Sequence, residues 1–305
     1  MKRSDSRPSV PVLDRLLGKP FRVLDDGFVR VVDYMGDDGA VVQAARVSYG
    51  TGTKRVHEDR GLIRYLMRHG HTTPFEMCEI KLHVRVPMDT WRQWIRHRTA
   101  SVNEYSTRYS VAIDAAQRTE PGNWRTQSTV SRQGSGGFLP KSAGRRLTEA
   151  ERRLQEQTRK LYEHRLIAGV AREQARKDLP LSTYTEAYWK TDLHNLLHFL
   201  RLRMDGHAQH EIRAYANIIG ERIVAQWVPI VWEAFLDYSL HALKLSRIEM
   251  EILNAIHSNS VERAQKLAAK HGMLQRDAKG NLVPNRERSE FESKIHGLGL
   301  ILPWE

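Results

Sequence analysis

Apolar and polar residues alternate most regularly between Cys78 and Val86. Every second residue there is Cys, Ile, Leu or Val, and each residue between them is charged or a histidine. A repeat of two places the apolar side chains on one face of an extended chain. We therefore predict a strand with one buried face and one polar face, which ends at Pro87.

The residues before this strand have a weaker β-like pattern, from Phe21 to Val47. Apolar-rich runs at 28–32 and 40–42 lie on either side of Gly36-Asp37-Asp38-Gly39, a composition that is typical of tight turns. The pattern predicts an antiparallel hairpin whose turn lies at 36–39.

Most of the remaining chain favours helices, because apolar residues recur there at intervals of three and four. The exception is 110–144, which is polar and glycine-rich and predicts mainly a loop. The predicted helices cover about 56–69, a short segment from Asp89, 147–177, 185–204, 207–226, 230–244, 247–256 and 260–270. Strands first and helices later indicate an α+β fold, with an N-terminal antiparallel-type sheet and helices followed by a mainly helical half.

Both ends of the chain differ from its middle. Residues 1–19 mix basic residues with prolines and predict a flexible leader. Beyond residue 244 the apolar residues are sparse and form short stripes, which indicate a peripheral extension at 245–305 that docks on an existing surface. An alternative is that the closing segment, 298–304, packs between subunits through Trp304. The main domain is therefore predicted to span 20–244.

Composition narrows the class of protein. The chain has 48 Lys and Arg against 36 Asp and Glu, a formal charge of +12, which favours phosphate-bearing partners, either nucleic acid or nucleotides. It has no apolar run of about 18 residues and no apolar stretch near Met1, so we predict neither a membrane span nor a secretory signal. The single cysteine, Cys78, rules out an intramolecular disulfide and fits a reducing compartment. We expect a soluble cytoplasmic protein.

The densest polar cluster runs from Arg96 to Tyr109 and holds three arginines, a histidine, a carboxylate and several hydroxyls. The forked donors of arginine suit phosphate groups. The alternative is a solvated, arginine-rich connection. A second charged cluster, at 201–213, is another candidate for a functional site. The alternative is that it forms only an exposed, charged helix face.

Two further patterns bear on cofactors. His194 and His198 are four residues apart, a spacing that can bind zinc, but the His-Glu-x-x-His motif is absent and we predict no metal. Neither G-x-G-x-x-G nor G-x-x-x-x-G-K-[ST] occurs. A phosphate-bearing cofactor would therefore be held mostly by side chains.

The string Arg-His-Arg-x-x-Ser-x-Asn-Glu-x-Ser-x-Arg-Tyr at 96–109 resembles the signature of the flavin-dependent thymidylate synthases. Blocks at 45–48, 70–76, 132–135, 179–180 and 198–209 also resemble that family, in the same order. The resemblance implies methylation of dUMP to dTMP, with carbon from 5,10-methylenetetrahydrofolate and a hydride from FAD reduced by NADPH. It also implies a homotetramer with shared active sites.

The resemblance carries residue roles onto matching positions. Those implied for the FAD site are Ser48, His71, Thr73, Glu76, Arg96, His97, Arg98, Thr99, Asp192, His194, His198, Leu202 and His207. Those implied for the nucleotide are Gln93, Arg96, Glu104, Ser106, Thr107, Arg108, Arg176 and Arg203. Arg203 matches the family's activating arginine and is the implied catalytic residue, whereas Asp192 stands where many members carry Asn.

The chemistry of uracil methylation is consistent with this assignment. An unrelated class of thymidylate synthases activates C5 through a cysteine thiolate. Cys78 has the parity of the buried strand residues, so the pattern predicts an inert thiol in the core. Electrostatic activation by Arg203 is the remaining route. A basic nucleic-acid-binding protein and a zinc hydrolase are the alternatives, and bound flavin would separate both from the prediction.

Overall fold

The computed structural model describes residues 8–47, 56–128 and 134–304, and the chain forms two compact units, Met1–Leu240 and His241–Glu305. The strands of the described residues are β1 (Phe21–Val23), β2 (Gly27–Met35), β3 (Glu79–Pro87), β4 (Ser101–Glu104), β5 (Arg125–Gln127), β6 (Ser135–Phe138) and β7 (Tyr184–Asp192). The sheet order is β1-β2-β3-β7-β4 with every neighbouring pair antiparallel, and β5 pairs with β6 separately. The predicted α+β fold is confirmed.

Helices precede, separate and follow these strands. In the first unit they are α1 (Pro11–Asp14), α2 (Asp38–Val47), α3 (Val56–Arg68), α4 (Thr73–Glu76), α5 (Met88–Trp94), α6 (Lys141–Ile167), α7 (Arg172–Ala175), α8 (Leu193–Arg203), α9 (His210–Ile218), α10 (Ala225–Trp227) and α11 (Pro229–Phe235). A 3-10 turn follows α7 at Arg176–Asp178, and π-helical segments lie at Ile219–Val224 and Leu236–Leu240. The second unit holds α12 (Arg247–His257), α13 (Val261–Lys270) and α14 (Arg286–Gly297).

The predicted strand at 78–86 is confirmed by β3. Ile80, Leu82 and Val84 are fully buried on the core face, as the alternation requires. His83 is also buried, although it lies on the polar face, because the rings of Phe28 and Tyr188 cover it. Arg30 donates to its Nδ1, and its Nε2 lies 2.7 Å from Glu186. The core of the first unit is therefore built on one face of the sheet.

The hairpin predicted at 36–39 is wrong. Residues 40–42 lie in α2, and β2 instead pairs with β1 through a turn in which Leu24 has φ 58°. Asp37 accepts a bond from the Ala40 backbone N–H at 2.8 Å, so the Asp-Asp pair begins a helix. Gly36, with φ 84°, provides the reversal that the pattern attributed to a hairpin.

The helix predicted over 185–204 is wrong in its first half, where the chain forms β7. Thr185, Ala187 and Trp189 are buried on one side of this strand. The helix α8 starts only at Leu193, after Asp192 accepts a bond from the Asn195 backbone N–H at 2.9 Å. Because alanine and threonine are weak hydrophobic signals, the alternation in this strand was too weak to separate it from the helix that follows.

The long helix predicted at 147–177 is displaced toward the N-terminus. α6 starts at Lys141 and ends at Ile167, before Gly169 with φ 79°. Its start requires Gly144, because a Cβ there would lie 1.9 Å from the Pro121 carbonyl oxygen.

The predicted loop at 110–144 contains the paired strands β5 and β6 in addition to the start of α6. The helix predicted at 207–226 begins at His210 and passes through a π-helical segment, and that at 230–244 ends in another.

The predicted leader is shorter than residues 1–19. α1 lies within it, and Leu13 of α1 is fully buried in the core of the first unit. The Tyr34 hydroxyl also contacts Asp14 at 2.5 Å. Residues 1–7 lie outside the described residues. No helix among the described residues is long and apolar enough to cross a membrane.

The second unit has a hydrophobic core of its own. Ile252, Ala264, Phe291 and Leu302 are among its buried residues, and Trp304 packs against them. The helices predicted at 247–256 and 260–270 are confirmed by α12 and α13, whereas α14 was not predicted. The expectation that these apolar residues only dock on an existing surface is wrong, because they pack against one another.

We predict that Cys78→Ala lowers the free energy of unfolding by about 1–2 kcal/mol, because a small buried side chain is removed from the core. Cys78 is fully buried, and burial, followed by the nearby carboxylates of Asp37 and Asp38, raises the pKa of its thiol to about 12. Urea denaturation measures the loss of stability. The folded protein should also resist a thiol reagent that labels it rapidly in urea, and rapid labelling of the folded protein would contradict this placement.

Candidate functional site

The arginine-rich segment 96–109 leaves the end of α5, forms the edge strand β4 and turns back at 105–110. Two cavities lie along it. One is next to the end of α8, and the other is next to the 3-10 turn that follows α7. Most of the side chains named from the sequence line one of these two cavities.

The first cavity has a volume of about 340 Å³. It brings together residues from the α5–β4 connection, from β7 and from α8. The predicted site residues that line it are Arg96, His97, Arg98, Thr99, His198, Leu202 and Arg203. Neither Arg96 nor Arg98 pairs with an acidic side chain in the described part of the chain. The cavity is therefore strongly cationic and suits an anionic ligand.

Arg203 is the last residue of α8 and is held in place by two contacts. Its Nε donates to His97 Nε2 at 3.1 Å, and its Nη2 donates to the Gln93 carbonyl oxygen at 3.4 Å. Nη1 forms no hydrogen bond with a described residue. Burial lowers the pKa of the guanidinium, but the group stays protonated at neutral pH. The arginine therefore presents fixed donors to the cavity that it lines.

His97 is a neutral partner for this cation. Burial, then the neighbouring charge of Arg203 and then His198, lowers the pKa of His97 to about 4. Because Nε2 accepts from Arg203, the ring proton resides on Nδ1. The ring also packs against Phe199, with centroids 5.0 Å apart. His97 can therefore orient Arg203 without repelling it.

His194 and His198, the pair whose spacing can bind zinc, both lie on α8. No group of three His, Cys, Asp or Glu side chains that could hold a metal occurs among the described residues. Arg201 Nη2 lies 3.5 Å from His198 Nδ1. Burial lowers the pKa of His198, and the nearby side chains of Arg201 and His194 lower it further.

The second cavity has a volume of about 460 Å³. It brings together five of the predicted nucleotide residues, which are Glu104, Ser106, Thr107, Arg108 and Arg176. Arg176 Nη1 donates to Thr107 Oγ1 at 2.7 Å, and the Arg108 backbone N–H donates to Ser106 Oγ at 3.4 Å. Neither arginine forms an ion pair with any described residue. The arrangement of two arginines beside two hydroxyls suits a phosphate group.

Gln93 lines neither cavity, although its backbone contacts Arg203. Its side-chain amide donates to Gln209 Oε1, and the Gln209 amide donates to Asp89 Oδ2 at 3.4 Å. The side chain of Gln93 is therefore linked, through Gln209 before α9, to Asp89 in the first turn of α5.

Several predicted flavin residues lie outside the first cavity. His71, Thr73 and Glu76 are exposed on and just before α4. The carboxylate of Asp192 accepts two bonds from Asn195 as the cap of α8, and His207 bonds to Asp205 at 2.8 Å. His194 is on α8 but does not line the cavity. Ser48 lies outside the described residues, as do residues 132 and 133 of the family-like block at 132–135.

Sequence reasoning missed lining residues that strand β7 contributes. Thr191 and Trp189 line the first cavity with Asn195, and Thr185 lines the second with Lys177. They were missed because this segment was interpreted as a helix. Alternating Thr, Ala, Trp and Thr at 185–191 was the available signal.

The structure defines an α+β protein that offers arginine, histidine and hydroxyl side chains, rather than a glycine-rich loop, to anionic ligands. The sequence model of the family described as "Thymidylate synthase complementing protein" matches residues 30–230. The chain therefore belongs to this family, the flavin-dependent thymidylate synthases. The family and the enzyme class predicted from the sequence are confirmed.

Individual relatives agree with this membership. The flavin-dependent thymidylate synthase of Gluconobacter oxydans (strain 621H) is 56% identical over 79% of this chain and 80% of its own length. That of Rickettsia conorii is 50% identical over 83% of this chain and 90% of its own. The crystal structure of the UMP/dUMP methylase PolB from Streptomyces cacaoi bound with 5-Br dUMP is 33% identical, with TM-score 0.65, and covers 72% of this chain and 99% of PolB.

We predict that His97 stays neutral down to about pH 5, because its folded-state pKa of about 4 lies below its ordinary value of 6.5. The unfolded chain then binds this proton more readily, so the contribution of His97 to stability is complete above pH 6.5 and is lost as the pH falls toward 4. NMR titration of the ring measures this pKa. Arg203→Met should raise it, and titration near 6.5 in both proteins would contradict the Arg203 contact.

Proposed function

We propose that this enzyme converts dUMP to dTMP, with 5,10-methylenetetrahydrofolate as the carbon donor and NADPH-reduced FAD as the hydride donor. The observation that carries the proposal is the placement of Arg203, held by neutral His97, in a cavity with two arginines that have no acidic partner among the described residues. The solved relative PolB, bound with 5-Br dUMP, supports dUMP as the substrate.

The lining of the second cavity suits a nucleoside monophosphate. Arg108 and Arg176 supply the cationic donors and Ser106 and Thr107 supply hydroxyls, which together match the acceptors of one phosphate group. Charge-assisted bonds of this kind each contribute about 1.5–3 kcal/mol. We assign the phosphate to these four residues, and the rest of the nucleotide to Gln93, Arg96, Glu104 and Arg203.

The first cavity fits FAD by the chemistry of its donors. Arg96, Arg98 and Thr99 offer the cationic and hydroxyl donors that a diphosphate requires, and no described acidic side chain neutralises the arginines. We assign them to FAD with His97, His198 and Leu202. When FAD is bound and reduced by NADPH, it supplies the hydride of the reaction.

A site shared between chains explains the remaining residues. His71, Thr73 and Glu76 are exposed and do not line the cavity of their own chain. We propose that they, with Ser48, Asp192, His194 and His207, complete FAD sites between the subunits of a homotetramer.

Methylation requires C5 of uracil to become nucleophilic. A thiolate at Cys78 is not available, because its thiol is buried with a pKa of about 12. We assign the activation to Arg203, whose fixed guanidinium stabilises the negative charge on uracil when the N3 proton leaves. One preorganised donor of this kind lowers a barrier by about 3–4 kcal/mol. The methylene carbon then bonds to C5 while its two bonds to folate nitrogens break, which releases tetrahydrofolate. C5 loses its proton and N3 regains one, and the hydride that reduced FAD would supply completes the methyl group.

A spectrum of the purified protein tests the proposal most directly. We expect flavin absorbance that NADPH bleaches without oxygen, followed by formation of dTMP when dUMP and 5,10-methylenetetrahydrofolate are added. A flavin-free protein that binds nucleic acid, or one that contains stoichiometric zinc, would overturn it. Light scattering tests the homotetramer.

We predict that Arg203→Lys lowers the turnover of dUMP at least about tenfold while flavin stays bound. Lysine keeps the charge but loses the planar fork that both contacts His97 and faces the substrate. Turnover is compared at matched flavin occupancy. Arg201→Lys, on the same helix, is the control and should retain activity, and near-normal turnover of Arg203→Lys would remove this role.

Arg108→Ala and Arg176→Ala should each weaken dUMP binding by about tenfold to a hundredfold, with little change in flavin retention. Each removes a charge-assisted bond to phosphate. Equilibrium dialysis measures both ligands. Arg172→Ala is the matched control, because Arg172 donates to the Tyr109 carbonyl at 2.9 Å and lines neither cavity. A change confined to flavin retention would contradict this division of the site.

We predict that removal of residues 241–305 leaves a flavin-loaded, active enzyme. All assigned residues lie in the first unit, and the family model ends at residue 230. Light scattering and turnover of the shortened chain are measured together. Dissociation with loss of flavin would show instead that the extension completes the shared site.

A further inference from the structure

The carboxylate of Glu104 is held by two buried donors that have no assigned role. Trp91 Nε1 donates to its Oε2 at 3.0 Å, and Thr185 Oγ1 donates to its Oε1 at 2.8 Å. Trp91 is 2% exposed and Thr185 is 5% exposed. Both carboxylate oxygens are therefore fixed from the protein side.

The sheet register produces this arrangement. Glu104, the last residue of β4, lies opposite Ala187 of β7. Thr185 is two residues further along the same face of β7, a diagonal position that a long side chain reaches. Trp91 lies on α5, which packs against β7. The carboxylate is thus turned toward neutral donors of the interior.

The choice of partners is unusual for this cavity. Arg108, Arg176 and Lys177 line it with Glu104, yet no described cation forms an ion pair with the carboxylate. The arginines are therefore left available for an anionic ligand. Each oxygen of Glu104 also keeps a lone pair, and a carboxylate can only accept hydrogen bonds. A ligand that occupies the cavity must present a donor to Glu104.

dUMP carries two such donors, the uracil N3–H, which the proposed function assigns to Arg203, and the sugar hydroxyl, which is therefore the donor for Glu104. Once the 5′ oxygen carries phosphate, deoxyribose keeps one hydroxyl, at C3′, and it lies close to the phosphate for which Arg108 and Arg176 are suited. We propose that Thr185 and Trp91 are positioning residues that fix Glu104 as the acceptor of the 3′-hydroxyl. This inference rests on the proposed function, because it takes dUMP as the ligand.

A purely structural role makes a different prediction. The buried indole N–H of Trp91 has Glu104 as its acceptor, and satisfying that N–H would be a structural role in itself. In the described chain the buried indole nitrogens of Trp94 and Trp189 have no partner. If Glu104 only satisfied the N–H of Trp91, loss of the Thr185 hydroxyl would change stability and would weaken all nucleotides equally.

Affinities for dUMP and 2′,3′-dideoxyuridine monophosphate, measured by equilibrium dialysis on the flavin-loaded enzyme, separate these roles. We expect the wild-type enzyme to bind dUMP at least about tenfold more tightly than the dideoxy compound, as a bond to a charged acceptor predicts. Thr185→Val should reduce this ratio severalfold and raise KM for dUMP more than it changes kcat. Thr185→Ser keeps the hydroxyl and should restore the ratio.

Thr90→Val is the matched control. It removes another buried threonine hydroxyl, which contacts Asp89 at 3.2 Å and lines neither cavity. Its ratio should equal that of the wild type. Equal wild-type affinity for the two nucleotides, or an unchanged ratio in a folded Thr185→Val enzyme, overturns the positioning role. Absence of dUMP binding in the wild-type enzyme would instead overturn the proposed function.

Discussion

The pairing of β3 with β7 is the constraint on which both cavities depend. The two strands stay in register over nine residue pairs, from Glu79 opposite Asp192 to Pro87 opposite Tyr184. They are neighbours in the middle of the sheet, so the side chains on their core face are almost completely buried. Polar side chains that leave the ends of these strands are consequently held by a rigid support.

The two ends of β7 serve different cavities. At its C-terminal end Asp192 caps α8, and the Leu193 N–H donates to the Cys78 carbonyl oxygen at 2.8 Å, which ties the start of α8 to the start of β3. Eleven residues of helix then carry Arg203 to the first cavity. Near the other end, Thr185 meets Glu104 from the edge strand β4 beside the second cavity. A slip of one residue would move both sets of side chains to the wrong face.

Sequence patterns predicted the parts of this arrangement that are local. Strand β3 was found because its apolar residues are strong hydrophobes, and the arginine-rich string was found because its residues are contiguous. Strand β7 was missed because Ala187 and the threonines beside it give a weak apolar signal, and α2 was missed because Asp37 caps a helix in a composition that also forms turns. The contacts of Arg203 with His97 and of Glu104 with Thr185 join residues far apart in sequence, so no local pattern contains them.

The neutrality of His97 follows from its burial and from the adjacent charge of Arg203. Arg96, Arg98 and Arg203 line the same cavity, and a protonated imidazole among them would add repulsion and remove the acceptor that orients Arg203. Burial and the adjacent guanidinium keep the pKa of His97 near 4, so the cavity gains a hydrogen-bond acceptor without gaining charge. In the second cavity the polar group is charged. The carboxylate of Glu104 accepts from the neutral donors Trp91 and Thr185 and forms no ion pair with the described arginines. In both places the protein orients polar groups while it leaves the arginine charge available to a ligand, and that separation allows one short segment to line two cavities that suit anions.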